Sequence, residues 1–249
     1  MAISASAEHQ AVLLELQKHD TVLLQLNHRK NNLPQIAQVA ELEAALADLQ
    51  LRLVAIKTEI SDISLAATKA ENDVEQVVTR SQRDQQRLDS GAISNSKELE
   101  ALQHEIASLA KRQSELEDIE LEILQQLEEA KSVQTEIETS LSDVESKLAE
   151  AVAERDTELA QIDELAKTEL VQRTVLAGSI DGALLALYDK VRIDLGGVGA
   201  ALLHRGACQG CHISLDSSEI NRIRDLPADE VVRCEQCRRI LVRTAESGL

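Results

Sequence analysis

An uninterrupted heptad pattern of apolar residues constrains the fold of this chain more than any other feature. From residue 42 to residue 77, the steps between apolar positions alternate between four and three through five repeats. This spacing places one apolar seam along a helix and is typical of a left-handed coiled coil. The seam consists of Leu42, Leu46, Leu49, Leu53, Ile56, Ile60, Ile63, Ala67, Ala70, Val74 and Val77.

A second seam of the same kind runs from Leu99 to Ala151. Its in-register positions Gln113, Glu120 and Gln134 are polar, which weakens the seam locally and can fix the register in which two helices pair. The sequence therefore predicts two long helical segments, each with an apolar face that needs a partner.

The sequence between the two seams, LDSGAISNSKELE, carries the signals of a turn. Gly91 suits the left-handed residue that closes a helix. Asn95, followed three residues later by Glu98, has the pattern of an N-cap with its capping-box partner. Two helices of similar length joined by about five residues are expected to fold back antiparallel. A parallel dimer of one bent helix is the alternative, but the short capped turn favours a hairpin within one chain.

The composition agrees with long helices rather than one large globular core. Phe and Trp are absent and Tyr188 is the only aromatic residue, so the bulky side chains that dominate ordinary cores are missing. Only Pro34 and Gly91 interrupt the chain before Gly178. Because proline disfavours helix in the residue before it, we expect the first arm to end or kink near residues 31–35.

All four cysteines lie within the last forty-two residues, in the pattern C-x2-C-x22-C-x2-C. Two CxxC pairs present four thiolates in two tight turns, which suits the tetrahedral coordination of Zn²⁺. A short tail without aromatic side chains buries little apolar surface, and a structural zinc ion supplies about 10 kcal/mol or more of folding free energy. We predict one structural Zn²⁺ held by Cys208, Cys211, Cys234 and Cys237.

Three other uses of these cysteines are compatible with the sequence alone. The stretch CQGCH, residues 208–212, matches the C-x-x-C-H pattern of covalent haem attachment. A thioredoxin-like redox pair needs a βαβ context, which is not visible here, and an iron–sulfur cluster also uses four thiolates. Zinc is favoured because both pairs have the same knuckle spacing. His204 and His212 flank the first pair and are expected to lie outside the ligand set.

The residues around the two cysteine pairs predict the remainder of a small domain. Asp216 with Glu219 is a capping box that opens a short helix. Residues 230–233 and 239–242 read as short strands, and residues 200–203 can pair alongside them. The sequence therefore predicts a small β structure with one helix between the cysteine pairs.

Together these patterns predict a mainly α protein. A long antiparallel coiled-coil hairpin covers residues 1–193, with a kink near 31–35 and an apex near 89–96. A small C-terminal β zinc ribbon covers residues 194–249, and the GGVG sequence at its start predicts a flexible joint.

The net charge of −18 is carried by the arms. Residues 196–249 hold seven basic and seven acidic residues, so the first 195 residues account for the whole charge. An arm this acidic repels phosphate and anionic membranes and favours basic partners. The N-terminal sequence lacks a secretory signal pattern, and no apolar run has the length of a membrane span. We expect a cytoplasmic protein without membrane contact, where thiols stay reduced.

Several parts of the sequence carry a resemblance to a known family. They are the apex RLDSGAISNSKELEALQHEI, the tail segments CQGC, SLDSSEINRI and VVRCEQCRRIL, and the residue Tyr188 before the glycine-rich segment. The chain resembles bacterial proteins that join a long N-terminal coiled-coil hairpin to a C-terminal four-cysteine zinc ribbon, often described as nucleic-acid-binding zinc ribbon proteins. The family usually has Gly after the last cysteine and often Pro at the start of the second arm, where this chain has Arg238 and Ser96.

The resemblance implies a non-enzymatic accessory protein. Studied relatives act as chaperone-like partners of an alternative sigma factor, of flagellar mRNA or of secretion-system components. We therefore predict an adaptor or chaperone-like protein that binds a protein partner. The residues agree with this, because no nucleophile–base pair is visible and a closed Cys₄ site leaves no coordination position for a substrate or water.

The alternative function is binding of RNA or DNA through the arginines of the ribbon. Nucleic-acid binders usually carry a net basic patch, and single-strand binders add aromatic stacking platforms. This ribbon has neither, so we rank protein binding first. The candidate contact residues are Arg222, Arg224, Arg233, Arg238, Arg239 and Arg243.

Overall fold

The computed structural model of the protein describes residues 3–249, and long helices account for most of them. The elements in chain order are α1 (Ala7–Asn31), α2 (Pro34–Asp89), α3 (Ser96–Gly178), α4 (Gly182–Asp194), β1 (Ala200–His204), β2 (Ala207–Cys208), α5 (Ser217–Asp225), β3 (Val232–Arg233) and β4 (Ile240–Val242). This confirms the predicted fold class, a helical hairpin followed by a small β region.

Helices α2 and α3 pack against each other through the two predicted seams. Ile56 on α2 forms a buried cluster with Ala130, Ile137 and Leu141 on α3. Flanking ion pairs join Lys57 to Glu138, Arg80 to Glu105 and Arg87 to Glu98. Because residue numbers rise along α2 as their partners' numbers fall along α3, the two helices run antiparallel. Each seam thus finds its partner in the same chain.

The apex between α2 and α3 has the predicted helix end and helix start. Gly91 adopts a φ of +64°, the left-handed conformation that glycine takes without steric cost. The Asn95 side chain accepts a hydrogen bond from the Lys97 backbone N–H at 3.0 Å, as an N-cap does. Glu98 differs from the prediction, because it pairs with Arg87 across the hairpin at 2.7 Å.

The described residues group into two compact units. One contains the residues up to Ile36 together with Ala153–Leu249, and the other is the hairpin segment Ala37–Val152. The first unit therefore combines α1, the end of α3, α4 and the whole β region. The sequence predicted a domain boundary between residues 193 and 194. That boundary stays a prediction, because the compact units combine segments that are distant in the sequence.

Within the first unit, α1 lies against the C-terminal part of α3. Ion pairs join Arg29 to Glu158 and Lys30 to Asp163, each at 2.6 Å. Helix α1 ends at Asn31 and α2 begins at Pro34. Proline is favoured at the first position of a helix, where its missing N–H would have no partner.

The four strands form one sheet in the order β2-β1-β4-β3. Strands β1 and β4 are parallel, and Ala201 is paired with Leu241; the other two pairings are antiparallel. Alternate residues of β4 point to opposite faces, so Ile240 and Val242 join the core against α1 and α4, while Leu241 joins the core on the cysteine side. Both faces of this short sheet are therefore covered.

The start of the chain is attached to the β region. The Ala5 backbone N–H donates to the Asp229 carbonyl at 2.8 Å, and the Val231 N–H donates to the Ile3 carbonyl at 3.0 Å. The β region thus has two supports besides any metal: these N-terminal hydrogen bonds and the helices under the sheet.

The GGVG segment differs from the predicted flexible joint, because it is packed between α1 and α4. The Gln17 side chain donates to the Gly197 carbonyl at 3.0 Å and accepts from the Gly199 N–H at 2.7 Å. A Cβ added at Gly199 would lie 2.8 Å from the carbonyl oxygen of Tyr188 and 2.9 Å from its ring. Glycine is needed here because the backbone passes directly over the tyrosine.

We expect Gly199→Ala to destabilise the first unit by about 1–3 kcal/mol, the usual cost of overpacking. Urea unfolding followed by the fluorescence of Tyr188, the only aromatic residue, measures this directly. Gly182→Ala is the matched control, because a Cβ at Gly182 meets nothing within 4 Å. Equal unfolding midpoints for the two variants would contradict the packing argument.

Candidate metal centre and its surroundings

The four predicted metal ligands lie together on the face of the sheet to which Leu241 points. The Sγ atoms of Cys208, Cys211, Cys234 and Cys237 all lie within 4.8 Å of one another. The Cys208–Cys237 and Cys211–Cys234 sulfur atoms are 3.8 and 3.9 Å apart. A tetrahedral site with Zn–S bonds of about 2.3 Å requires sulfur–sulfur distances of about 3.8 Å. Two sulfur pairs therefore already have the spacing of a tetrahedral zinc site, and all four thiols are close enough to bind one ion.

Each CxxC pair has the same local geometry. The backbone N–H groups of Gly210 and Cys211 donate hydrogen bonds to the Cys208 sulfur, and those of Gln236 and Cys237 donate to the Cys234 sulfur. These bonds stabilise a thiolate. Burial has the larger effect and raises the pKa of the Cys208 thiol to about 12. A bound cation is what makes four neighbouring thiolates favourable in this site.

The geometry shows no disulfide between the cysteines and leaves both neighbouring histidines outside the metal cluster. All four thiols are free, and their sulfur atoms lie too far apart for the roughly 2.05 Å bond of a disulfide. His212 is exposed and His204 lies beside Glu246 at 3.4 Å, so neither belongs to the metal cluster. The ligand set consists of four cysteines, which leaves no position for a solvent or substrate ligand in a tetrahedral site.

The residue after each CxxC pair adopts a left-handed backbone conformation. His212 has a φ of +59° and Arg238 a φ of +64°. This conformation closes each turn, since the N–H of His212 donates to the Cys208 carbonyl and that of Arg238 to the Cys234 carbonyl. Arg238, which stands where the family usually has glycine, therefore keeps the turn shape at a cost in backbone strain of about 1–2 kcal/mol.

We expect Arg238→Gly to stabilise the metal-loaded ribbon by up to about 1 kcal/mol, because strain is relieved while the more flexible unfolded state offsets part of the gain. The measurement is the urea midpoint of the zinc-loaded protein. Arg238→Ala is the control, since alanine removes the guanidinium but keeps the Cβ. A gain that is the same in both variants would assign the effect to charge rather than to backbone strain.

Two of the six candidate contact arginines donate hydrogen bonds within the ribbon. The Arg243 guanidinium donates to backbone carbonyls in the last turn of α5 and in the segment after it, with its shortest bond, 2.6 Å, to Pro227. The Arg239 guanidinium donates to the carbonyls of Val198 at 3.1 Å and Gly210 at 3.2 Å. Both side chains therefore help to hold the ribbon together, and their contact with a partner or nucleic acid stays a prediction.

The other four arginines of the set are exposed. Arg222 lies within 3.5 Å of Glu235 and 3.8 Å of Glu219. Arg224 donates to the Asn221 side chain, and Arg233 donates to the Arg238 carbonyl. Their role in contacting a partner or nucleic acid stays a prediction.

A buried polar cluster in the first unit was not anticipated from the sequence. Asp20 of α1 is 3% exposed and accepts hydrogen bonds from the Arg173 guanidinium at 2.8 Å and the Tyr188 hydroxyl at 2.7 Å. Arg173 also donates to Asp189 at 2.7 Å, and Arg192 lies 3.5 Å from both aspartates. Two arginines and two aspartates thus join α1, α3 and α4.

The charges in this cluster stabilise one another. Burial lowers the pKa of Arg173, but Asp20 and Asp189 raise it by more. Burial and the Asp20 carboxylate both raise the pKa of Tyr188, so its hydroxyl remains a donor. A sequence signal for the cluster does exist: Gln17 and Asp20 follow the buried Leu13 and Leu16 on the same face of α1.

A cleft of about 630 Å³ opens beside this cluster. Apart from the charged groups, its walls are apolar and include Leu24, Leu170 and Ile193, all three of which are exposed.

None of the described helices combines the length and the hydropathy that a membrane crossing requires.

Comparison with known families matches both parts of the chain. Residues 16–196 match the model of the CT398-like coiled coil hairpin domain. Residues 207–241 match the model of the C4-type zinc ribbon domain. Together with the clustered thiols, this second match assigns the metal centre as a C4 site for one structural zinc ion.

Similar proteins share this arrangement over nearly their whole length. A protein of Mycobacterium tuberculosis is 35% identical over 241 residues, covering 97% of this chain and 98% of its own. A solved Mycobacterium smegmatis structure is 31% identical with a TM-score of 0.82, covering 97% of this chain and 100% of its own. The CT398 structure of Chlamydia trachomatis, 21% identical with a TM-score of 0.69, covers 94% of this chain and 97% of its own and shares the fold. The resemblance noted in the sequence is confirmed: the chain belongs to the CT398-like family, in which a coiled-coil hairpin precedes a C4-type zinc ribbon.

Proposed function

We propose that this protein is a non-enzymatic adaptor that binds a protein partner. The observation that carries the proposal is the exposure of large apolar side chains along the hairpin, with Leu51 and Leu65 each 73% exposed. Apolar surface of this kind, bordered by polar residues, is typical of sites where proteins interact. The cleft beside the polar cluster offers further apolar surface in the first unit.

The metal centre supports a non-enzymatic role. Its four thiols form a closed ligand set, and the neighbouring arginines Arg239 and Arg243 bond to backbone carbonyls. The zinc ion then stabilises the ribbon and leaves no coordination position for a reacting group. A reducing compartment such as the cytoplasm suits this role, because the thiols must stay free to bind metal.

Affinity purification of the intact protein from its native cell at low salt, with and without nuclease, tests the proposal. We expect a protein partner in near-stoichiometric amount that nuclease treatment does not remove. A partner lost on nuclease treatment, or recovery of nucleic acid without protein, would contradict it.

The purified intact protein also tests the alternative function, nucleic-acid binding by the ribbon. Arg224→Gln with Arg238→Gln removes two exposed guanidinium groups, neither of which takes part in the carbonyl bonding of Arg239 and Arg243. An RNA or DNA affinity that falls steeply with salt and is lost in this double variant would favour the alternative. We expect no such loss.

A further inference from the structure

We propose that the side of α2 opposite its heptad seam is the docking site of a long partner helix whose apolar face is flanked by basic residues. We define the outer face of α2 as the eleven positions reached from Ala37 to Asn72 by alternating steps of three and four residues. The inference rests on the proposed function for the existence of a protein partner, and it specifies the surface and the chemistry of that partner.

The outer face is exposed and uncharged throughout. Alanine occupies its first four positions, and its large residues Leu51, Val54 and Leu65 are 73%, 66% and 73% exposed. Positions opposite the seam of a two-helix coiled coil face water and are normally charged or polar. Here none is charged over ten successive steps, although 28% of the chain is charged. The remaining positions are Thr58, Ser61, Thr68 and Asn72.

Helix propensity does not explain this choice of residues. Val54, Thr58 and Thr68 are β-branched, and such residues lower helix stability at exposed positions relative to Glu, Lys or Gln. The Thr58 hydroxyl donates to the Val54 carbonyl and the Thr68 hydroxyl to the Ser64 carbonyl, both at 3.0 Å. These hydroxyls therefore have partners within the helix and do not require water, which makes the face suitable for burial.

The spacing of the outer face matches that of a coiled-coil seam. Steps of three and four residues place the positions in one stripe along the helix, so α2 carries two such stripes, one paired with α3 and one free. At 1.5 Å per residue the outer face is about 53 Å long. Its alanine end leaves room for large partner residues, whereas Leu51, Val54 and Leu65 require small residues opposite them.

Charge decides which kind of helix fits. Residues 37–72 contain six acidic and three basic residues. Two of the basic residues are already paired, Lys57 with Glu138 at 3.7 Å and Arg52 with Asp48 at 4.0 Å. An apolar helix with basic flanks would meet the remaining acidic residues favourably. A second copy of this chain would bring a further acidic arm, and the like charges would repel.

Titration with a synthetic helical peptide tests the inference on the full-length, zinc-loaded protein. The probe is a peptide of about 35 residues with lysine at the flanking positions. Along its alternating steps of three and four residues it carries leucine in the half that meets the alanines and alanine in the half that meets Leu51, Val54 and Leu65. A second peptide carries glutamate at the flanks, and a third has its leucines rearranged. We expect the first peptide alone to bind, with an affinity that partly survives raised salt because apolar surface is buried.

The decisive variant replaces Leu51, Val54 and Leu65 with glutamine, which removes apolar surface without changing charge. The matched control replaces the exposed α3 residues Leu121, Leu124 and Val133 with glutamine. We expect at least a roughly tenfold loss of peptide affinity in the first variant and less than about a twofold change in the control. Circular dichroism checks that both variants remain helical.

Three outcomes would overturn the inference: equal affinity of the α2 variant and the wild type, equal binding of the glutamate-flanked peptide, or self-association that is lost only in the α2 variant. The last would assign the face to a second copy. These outcomes are distinguishable from failure of the proposed function. If the α2 variant still recovers the native protein partner, the adaptor role stands and the outer face is not its site.

Discussion

Replacing Cys208 with serine is expected to abolish zinc binding and unfold the ribbon. Structural zinc sites contribute about 10 kcal/mol or more to folding, which is comparable to the total stability of an ordinary domain. The sheet is too short to compensate, because β2 and β3 have two residues each and β4 has three. When β4 unfolds, Ile240 and Val242 no longer pack against α1 and α4.

The hairpin segment Ala37–Val152 is expected to stay folded in this variant, because it is a separate compact unit with its own apolar core. Hydrogen exchange measured by mass spectrometry separates the two regions. Protection should be lost in residues 200–243 and retained in α2 and most of α3. Metal analysis should fall from one zinc per chain to none.

The control for Cys208→Ser is Gln209→Ser, a change at an exposed position in the same turn. The Gln209 backbone N–H bonds to the Leu202 carbonyl, and this bond survives the substitution. We expect full zinc occupancy and unchanged protection in the control, and a chelator should reproduce the Cys208→Ser pattern in the wild type. One zinc per chain with unchanged exchange in Cys208→Ser would refute the structural role of the metal.

Replacing Asp20 with alanine is expected to destabilise the first unit by about 3–5 kcal/mol. Removing one partner from a buried ion pair is strongly destabilising because a buried charge loses its counter-charge. Arg173 keeps Asp189 as a second partner, which places the expected loss at the lower end of this range. Here the loss affects Arg173, whose guanidinium is mostly buried, and also the Tyr188 hydroxyl, which donates to Asp20 at 2.7 Å. Urea unfolding followed by the fluorescence of Tyr188 reports on this cluster, because the tyrosine is the only aromatic residue in the chain.

The control for Asp20→Ala is Glu158→Ala. Glu158 pairs with Arg29 between the same two helices, but the pair is largely exposed, so the loss should be below about 1 kcal/mol. Asp20→Asn should lie between the two, because the amide oxygen still accepts hydrogen bonds but carries no charge. Similar midpoints for Asp20→Ala and Glu158→Ala would show that burial does not strengthen the cluster.

The hairpin and the metal ligands could be predicted because their signals are local or periodic. The seam residues repeat at fixed steps, and the two CxxC pairs have a spacing that few other sites share. Glu98 shows the limit of such reasoning: its position three residues after Asn95 fits a capping box, yet Arg87 on the opposite helix is the partner it takes. A cross-hairpin charge competes with a local backbone donor, and sequence spacing alone does not rank the two.

The arginines of the ribbon show a second limit. Six arginines in a short segment were candidate contacts for nucleic acid, and two of them, Arg239 and Arg243, donate to backbone carbonyls within the ribbon. Whether an arginine faces a ligand or a loop depends on which carbonyls remain unpaired after folding. The backbone conformation of Arg238 is also decided by the fold, because the turn around Cys234 and Cys237 imposes a left-handed conformation on it.

The sequence by itself determined the two seams, the turn between them and the four-thiol zinc site, because each is encoded by a recognisable spacing: heptad steps, a capped turn and two CxxC pairs. Only the tertiary structure decided how the ribbon is supported. Gln17 bonds to Gly199 and Tyr188 to Asp20, across separations of well over a hundred residues that leave no spacing to recognise. These contacts form because buried polar groups must find partners, and which partners are within reach is set by the packing of α1, α4 and the sheet.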